Sequence, residues 1–392
     1  MIRSGVGQSA KAAAALAAQE AAQEAMAQAG VGRADAAVVF FTVEHGSQQP
    51  QLIETLRRIV GTDQIVGCSA AGVLSGAGET EGSPGVAVLV LASDQMQSRP
   101  FVFQPLRERD DEVGADIARA TLNRVGSDAL LMLLPDTYNG QPQRLLTRIA
   151  RGAGFIPVIG AGSSENGTAR ATYQLCGDAM VTNAVAGMCF SGTFQACIDL
   201  TQGCQPITEP MVITKAENHL IYEIDDRPAI EVFAKLLKGP LAEDVRRALM
   251  VLFVGLPAHP NENQIAPGRY VVRNIIGLDP HKGVLGVADE VREGQELIFT
   301  LRDGERARED LNQMLRRQRE ILGTKKPAFG LYFNCCARGN SLYGIPGIDS
   351  AYIRQALGDF PLIGMFGGYE LAPLGGANHL FAYTGVLALI TE

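Results

Sequence analysis

The stretch from Tyr332 to Gly344, "YFNCCARGNSLYG", contains the side chains with the clearest chemical potential in this sequence. Two adjacent cysteines, Cys335 and Cys336, are followed by Arg338. A thiolate is a nucleophile, and a nearby positive charge lowers the pKa of a thiol. A guanidinium group can instead hold a carboxylate through two parallel hydrogen bonds. The stretch is therefore compatible with a cysteine enzyme and with a carboxylate-binding pocket.

A cysteine nucleophile needs a general base. Of the five histidines, His379 alone follows in the same part of the chain, so the enzyme hypothesis pairs Cys336 or Cys335 with His379. Cysteine is also one of the most frequently buried residue types. We therefore favour a packing role for both cysteines and keep catalysis as the alternative, without a firm assignment as an enzyme.

Arg338 and Glu370 are the charged residues that best fit a ligand site, because each stands in or beside a glycine-containing loop that follows an apolar run. Arg338 would bind a carboxylate, and Glu370 would accept an amine or hydroxyl. A salt bridge from Arg338 to Glu370 or Asp349 explains the same residues equally well. The candidate ligand-binding residues of these two loops are Asn334, Cys336, Arg338, Tyr343, Phe366, Gly367, Gly368 and Glu370.

The segments "GCSAAG" and "GAGSSENG" are rich in small residues that could expose backbone N–H groups to an anion. Neither has the lysine of a P-loop or the spacing of a dinucleotide fingerprint. We interpret them as tight turns between strands and add Ser69, Ser163 and Ser164 to the candidate ligand-binding residues. No C-x-x-C or H-x-x-x-H pair is present, so we predict neither a metal nor a cofactor.

Three segments with one pattern must position these residues. Each starts with a continuous apolar run, "AAVVFFT" from Ala36, "DALLMLLPD" from Asp128 and "AFGLYFNCC" from Ala328. A loop, an amphipathic helix, an apolar pair with glycine, a turn and a last apolar run follow in each. This pattern predicts an α/β fold of repeated strand–helix–strand–strand units. One helix covers only one sheet face, so we predict a layered helix–sheet–sheet–helix sandwich.

A right-handed crossover makes the first two strands of each unit parallel, and their carboxyl ends then share one edge. We therefore expect the loops that contain Arg338 and Glu370 to meet. The Pro-rich joint before residue 211 predicts two domains, 1–210 with two repeat units and 211–392 with antiparallel strands, a helix and the third unit. The alanine-rich N-terminus predicts a helix capped by Ser9 and ended by Gly30.

The bulk composition restricts the partners. The 392 residues have a net charge of −8, and no basic stripe is present, which disfavours nucleic acid and anionic membrane surfaces. The seven cysteines and the absence of a signal peptide are typical of a cytoplasmic protein with reduced thiols. We predict a cytoplasmic location and no membrane association.

At these residues the sequence resembles the FIST domain proteins, the F-box and intracellular signal transduction family. "AVVFFTVEHG", "IVGCSAAGVLSG" and "PVIGAGSSENG" resemble the N-terminal FIST domain. "FNCCARGNSLYG" and "PLIGMFGGYELAPLGGANHLFAYTGVLALI" resemble the C-terminal FIST domain, and these two are the most specific segments. Glu370 follows Gly368 and Tyr369, one residue later than the usual G-E pattern of this loop.

The resemblance implies a sensory protein that binds a small molecule, such as an amino acid or another small carboxylate, in a pocket of the C-terminal domain. It also implies a signalling role, either alone or through a separate protein partner. A scaffold that acts only through such a partner is a further alternative.

Overall fold

A computed structural model describes residues 1–122, 129–259, 262–266 and 268–392. It confirms the α/β class. The chain forms two compact units, the first from Met1–Thr201, Asp310–Leu380 and Thr384–Glu392, and the second from Gln202–Glu309 and Phe381–Tyr383. The first unit takes residues from both sides of position 210, and the division into domains at that position stays a prediction.

The described α-helices are distributed over the whole chain, and a short 3-10 helix at Val43–Gln48 precedes the second one. Their bounds are α1 Ala14–Ala29, α2 Gln49–Val60, α3 Asp110–Leu122, α4 Pro142–Ala153, α5 Ala229–Ala234, α6 Pro240–Glu243, α7 Val245–Leu249, α8 Gly304–Leu322, α9 Asn340–Tyr343 and α10 Ile348–Leu357.

The described strands are numbered in chain order, and the three apolar runs of the repeat are β2, β8 and β22. The strands before the second unit are β1 Ile2–Ser9, β2 Ala36–Thr42, β3 Ile65–Ala70, β4 Gly72–Ser75, β5 Gly78–Glu81, β6 Val86–Ser93, β7 Met96–Phe103, β8 Ala129–Pro135, β9 Val158–Ala161, β10 Gln174–Cys176, β11 Ala179–Val181, β12 Val185–Gly192 and β13 Gln195–Gln202. The later strands are β14 Cys204–Pro206, β15 Met211–Glu217, β16 Leu220–Ile224, β17 Arg227–Pro228, β18 Leu252–Pro257, β19 Tyr270–Asp279, β20 Val284–Val287, β21 Glu296–Arg302, β22 Phe329–Cys335, β23 Leu362–Gly367, β24 Glu370–Leu374, β25 Ala377–Phe381 and β26 Thr384–Thr391. Asp128, where the second predicted strand begins, lies outside the described residues.

The described strands of the first unit form three sheets of six strands with one plan. Sheet one has the order β1-β6-β2-β3-β10-β11, sheet two has β7-β12-β8-β9-β24-β25, and sheet three has β13-β26-β22-β23-β4-β5. The parallel pairs are β2 with β3, β8 with β9 and β22 with β23. The predicted repeat is therefore present three times, and each copy also has a leading strand and helix.

Each repeat donates a hairpin to the sheet of another repeat. The first repeat, residues 2–93, donates β4–β5 to sheet three, and the second, residues 96–192, donates β10–β11 to sheet one. The third repeat, residues 195–202 and 304–391, donates β24–β25 to sheet two. The donation is thus cyclic. The predicted turn between the second and last strands of each unit is this donated hairpin.

The sheets pack against one another on their inner faces, while helices cover their outer faces. Phe40 of β2 lies 6.1 Å from Phe333 of β22, and Phe190 of β12 lies 6.3 Å from Phe329 of β22, measured between ring centroids. On the outer face of sheet one, Val39 and alternate residues of β2 and β6 pack against α1 and α2. This arrangement agrees with the predicted layering, although three sheets take part.

The predicted N-terminal helix begins later than expected, because residues 2–9 form β1 and Ser9 ends that strand. The buried face of α1 is made of alanines, which lets the helix lie directly on β1. A Cβ atom at Gly5 would stand 2.1 Å from the Ala25 carbonyl oxygen, and one at Gly7 would stand 2.0 Å from that of Ala21. Because glycine is unusual within a strand, these two glycines made the sequence pattern of β1 unlike that of a strand.

The second unit is built on one sheet with the order β14-β21-β15-β16-β20-β19-β18, and β21 also pairs with β18. The antiparallel strands predicted for this part of the chain include β19, β20 and β21. Tyr270, Val272 and Ile298 contribute to its core.

Candidate functional site

The two predicted site loops leave neighbouring strands. On the parallel pair β22–β23, Asn334 stands opposite Phe366 and Cys335 stands opposite Gly367. The backbone N–H of Cys336 donates to the Gly367 carbonyl oxygen at 2.8 Å. The loop that carries Arg338 therefore starts beside the loop that leads to Glu370.

Arg338 is fully buried and ion-paired with Asp349, which is also fully buried. Its Nη2 lies 3.1 Å from Asp349 Oδ1, and its Nε lies 3.4 Å from Oδ2. Nη2 also donates to the Tyr343 hydroxyl at 2.7 Å. Of the two salt bridges considered from the sequence, the one between Arg338 and Asp349 forms.

Asp349 is the centre of a buried polar cluster. It also accepts hydrogen bonds from the Asn334 amide at 2.7 Å, the Tyr343 hydroxyl at 2.9 Å and the Tyr332 hydroxyl at 3.2 Å. Burial, together with the negative charge of Asp349, raises the pKa of Tyr332 well above its ordinary value. We refer to Arg338, Asp349, Tyr343, Tyr332 and Asn334 as the arginine cluster.

Two polar atoms of the arginine cluster are buried without a hydrogen-bond partner, namely Arg338 Nη1 and Asn334 Oδ1. Glu370 Oε1, on strand β24 of sheet two, is a third. A buried polar atom without a partner costs about 1–3 kcal/mol, and more when the group is charged. All three atoms belong to the loops and strands that follow β22 and β23 or to β22 itself.

Glu370 is fully buried, and its Oε2 accepts from the hydroxyl of Thr384 at 2.6 Å and from the backbone N–H of Thr384 at 3.2 Å. Burial, with a smaller contribution from Cys335, raises the pKa of Glu370 well above its ordinary value. The positive charge of Arg338 opposes that rise. Because Oε2 accepts both hydrogen bonds, a proton bound by this carboxyl group would reside on Oε1.

Glu79 and Glu81, on the donated strand β5, accept hydrogen bonds from the segment that follows Arg338 along the chain. Glu79 accepts from the backbone N–H groups of Gly347 and Ser350, each at 2.9 Å. Glu81 accepts from the backbone N–H of Asn340 at 3.0 Å. Burial, with the charge of Asp349, raises the pKa of Glu79, and burial raises that of Glu81. Neither glutamate was among the predicted site residues, because no local sequence pattern indicates that β5 joins sheet three.

The candidate serines lie where the hairpins leave their own sheets. Ser69 Oγ donates to the Ser164 carbonyl oxygen at 3.0 Å, and Ser164 Oγ hydrogen-bonds both the Ala71 N–H and the Phe366 carbonyl oxygen. Ser163 Oγ accepts from the Gln174 side chain at 3.1 Å. The three serines are buried. Gly368 N–H donates to the Gly162 carbonyl oxygen at 2.9 Å, so the three junctions interlock.

The residues of the enzyme hypothesis differ in exposure. Cys336 is exposed, whereas Cys335 and His379 are buried. His379 lies on β25 in sheet two, with Nε2 at 3.0 Å from the Leu374 carbonyl oxygen. All seven cysteines are among the described residues, and none is in a disulfide. Within the same residues, no group of three His, Cys, Asp or Glu side chains is arranged to hold a metal ion.

Comparison with protein families confirms the predicted one. A family model for the FIST N domain matches residues 35–227, and one for the FIST C domain matches residues 229–373. The chain belongs to the FIST family. FIST domains are sensory domains of signal transduction that bind small ligands.

Similar proteins carry no assigned activity. An uncharacterized protein of Mycobacterium tuberculosis strain H37Rv is 29% identical over 380 residues, which cover 96% of each chain. An uncharacterized protein of Mycobacterium bovis is 29% identical over 382 residues, again with 96% of each chain covered. An uncharacterized protein of Methanocaldococcus jannaschii is 21% identical over 216 residues, 53% of this chain and 41% of that protein.

A solved structure of cyanuric acid hydrolase from A. caulinodans superposes with a TM-score of 0.30 and 10% identity, over 49% of this chain and 71% of that one. A similarity of this size supports no argument about the present protein. None of the described helices is long and apolar enough to cross a membrane.

Proposed function

We propose that this protein is a cytoplasmic sensory protein that binds a small carboxylate, such as an amino acid, at the arginine cluster and Glu370. The observation that carries the proposal is the set of three buried polar atoms without partners, Arg338 Nη1, Asn334 Oδ1 and Glu370 Oε1. The family supports a sensory role in general. The cluster supports a ligand with both acceptor and donor groups.

The three atoms match an amino acid by their hydrogen-bonding roles. Arg338 Nη1 and the protonated Oε1 of Glu370 each donate, which suits the two oxygens of a carboxylate. Asn334 Oδ1 accepts, which suits an ammonium or hydroxyl group. In this proposal Glu370 donates a hydrogen bond in its protonated form, which differs from the amine-acceptor role expected from the sequence.

The covering segment, residues 336–350, supplies the route for the ligand in this proposal. Gly339, Gly344 and Gly347 have positive φ angles of 56°, 74° and 80°, which only glycine adopts readily. Cys336 and Ile345 are exposed at the outer side of the segment. Movement of this segment on ligand binding would be the signal that a separate protein partner detects.

The remaining sequence candidates have supporting places in the proposal. Tyr343 orients the Arg338 guanidinium through its hydroxyl. Phe366, Gly367 and Gly368 form the wall on the β23 side, next to the interlocked serines.

A thermal-shift screen over the standard amino acids and their deaminated acids tests the proposal. A ligand that binds only the folded state raises the melting temperature with concentration. We expect an amino acid to stabilise the wild type and to have no effect on the double variant R338A/D349A, which removes both buried charges together. The exposed Arg354 provides the matched control variant R354A. A hit that stabilises wild type and R338A/D349A equally would refute the assignment of Arg338.

A cysteine-dependent enzyme remains the second candidate function, carried by the exposure of Cys336 beside the arginine cluster. Labelling with iodoacetamide against pH tests it. A thiol that titrates well below about 8.5 supports it, and labelling of Cys336 only above that pH excludes it as an activated nucleophile.

A further inference from the structure

A second buried polar position corresponds to Arg338 by register. In the three parallel pairs, Gly67, Gly160 and Gly364 stand opposite Val39, Leu133 and Tyr332. Six residues beyond these partners the chain has His45, Asn139 and Arg338, and each is followed by a glycine. The three residues are therefore equivalent positions at the carboxyl ends of β2, β8 and β22.

At the second of these positions, Asn139, the hydrogen-bond partners come from the same repeat. Asn139 donates to Asp136 Oδ2 at 2.9 Å. The other oxygen of Asp136 accepts from the Tyr138 N–H at 2.8 Å, and the Asn183 N–H also donates to Oδ2 at 2.8 Å. This site thus satisfies its carboxylate within the second repeat.

His45 contrasts with Asn139. Its side chain is 1% exposed, and neither ring nitrogen has a hydrogen-bond partner. The neighbouring Glu44 uses Oε1 to accept from the Asn166 amide at 2.9 Å, whereas its Oε2 is buried without a partner. Three polar atoms therefore lack hydrogen-bond partners at the end of β2, compared with two at the end of β22 and one on β24.

The walls of this position come from two repeats, as they do around Arg338. Asn166 and Tyr173 belong to the connection between β9 and β10, which the second repeat brings to sheet one. A Cβ atom at Gly46 would stand 2.8 Å from Cε2 of Tyr173, so that ring closes directly over the histidine loop. The cyclic exchange of hairpins thus builds comparable enclosures in the first and third repeats.

The charges at this position exclude an anion. Burial lowers the pKa of His45, so the imidazole is neutral near pH 7. Burial alone would raise the pKa of Glu44, but hydrogen bonds from Asn166 and nearby groups lower it below its ordinary value. The position therefore offers one carboxylate acceptor, one imidazole acceptor and one imidazole donor, with a net negative charge.

We propose that the carboxyl end of β2 is a second small-molecule site, in which His45 and Glu44 bind a small neutral polyhydroxy compound. A hydroxyl group both donates and accepts, so it serves either imidazole nitrogen and also Glu44 Oε2. Several hydroxyls along one carbon chain can reach groups that point in different directions. This proposal rests on a separate observation and does not depend on a ligand at Arg338.

Histidine NMR of the full-length protein tests the site. With 13Cε1-labelled histidine, the His45 signal is assigned as the one missing in H45Q, and the exposed His219 serves as matched control through H219Q. We expect erythritol to shift the His45 signal saturably and to leave the His219 signal in place. Erythronate, in which a carboxylate replaces one terminal CH2OH group, should bind about tenfold more weakly because Glu44 repels it.

Once the His45 signal is assigned, E44Q offers a second variant for the same test, because it changes the other group of the site and keeps the reporting histidine. Loss of the erythritol response in E44Q, with the response kept in R338A/D349A, supports a separate site. A His45 signal that no polyol moves means that ordered water alone satisfies these atoms, and it overturns the proposal. An equal response to erythritol and erythronate also overturns it.

Discussion

At the scale of single residues, the arginine cluster unites a stabilising ion pair with an incomplete hydrogen-bond set. Arg338 and Asp349 neutralise each other in the interior, and Tyr343 touches both. Nη1 of the same guanidinium is nevertheless left without a partner. One guanidinium therefore combines an ion pair with a hydrogen-bond donor that the described residues leave without a partner.

The first prediction concerns this ion pair. R338A should lower the free energy of unfolding by about 3–5 kcal/mol, because it leaves the Asp349 carboxylate buried and uncompensated. The double variant R338A/D349A should recover part of that loss. Urea denaturation of wild type, both single variants and the double variant gives the coupling energy. Additive effects would contradict a buried pair.

The second prediction concerns the adjacent cysteines. Cys336 is exposed and Cys335 is buried, so iodoacetamide should label Cys336 in the native protein and Cys335 only in denaturant. The variants C335S and C336S each retain one thiol of the pair. Peptide mass spectrometry of each variant therefore assigns the label to a single cysteine. Rapid native labelling in C336S would show that the covering segment opens readily.

At the scale of secondary-structure elements, the donated strand β5 fixes the covering segment through hydrogen bonds. Two of its four residues, Glu79 and Glu81, accept backbone hydrogen bonds from residues 340, 347 and 350. Both carboxyls lie near Asp349, so their ionisation adds negative charge to a partly buried place.

The third prediction follows from the sign of these pKa shifts. A glutamate whose pKa is raised by folding binds its proton more tightly in the folded state. Its contribution to stability is present below the ordinary pKa, which is 4.5, and is lost as the pH rises through the raised value. Wild type should therefore lose more stability than E79Q/E81Q as the pH rises from about 4.5 to about 8.

Hydrogen exchange localises the same effect. The amides of Asn340, Gly347 and Ser350 should exchange faster at the upper end of that pH range, after correction for the intrinsic pH dependence of exchange. E79A/E81A should abolish their protection at every pH, whereas the exposed surface variant E54A should leave it unchanged. Unchanged protection in E79A/E81A would mean that other contacts hold the segment.

At the scale of the whole molecule, the cyclic exchange makes the three repeats of the first unit depend on one another. Met365 on β23 pairs with Val73 of the first repeat, and Glu370 on β24 pairs with Ala161 of the second. No repeat has a complete sheet without a strand from another.

The fourth prediction distinguishes three interdependent repeats from an independent N-terminal domain that ends at residue 210. A fragment of residues 1–201 contains the first two repeats but lacks β23, β24 and β26, so we expect it to show no cooperative thermal transition by circular dichroism. Co-expression with residues 202–392 should restore a folded complex. A cooperative transition of the fragment alone would favour the independent N-terminal domain.

The sequence predicted local elements well and long-range pairings poorly. The buried runs of β2, β8 and β22 were recognisable because each is continuously apolar, and the meeting of the Arg338 and Glu370 loops followed from parallel neighbours. The hairpin exchange was not predictable, since residues such as Val73 and Met365 pair across most of the chain without a local signal. Glu79 and Glu81 were missed for that reason.

The place of the first hairpin has a consequence for synthesis on the ribosome. Leu74 is made long before its partner Gly364, and translation proceeds at roughly 5–20 residues per second. The β4–β5 hairpin therefore waits on the order of tens of seconds with its backbone edge unpaired. Glu79 and Glu81 lie on β5, the other strand of this hairpin, so the waiting hairpin has two acidic side chains next to its unpaired strand β4, and charge of this kind disfavours pairing with other chains.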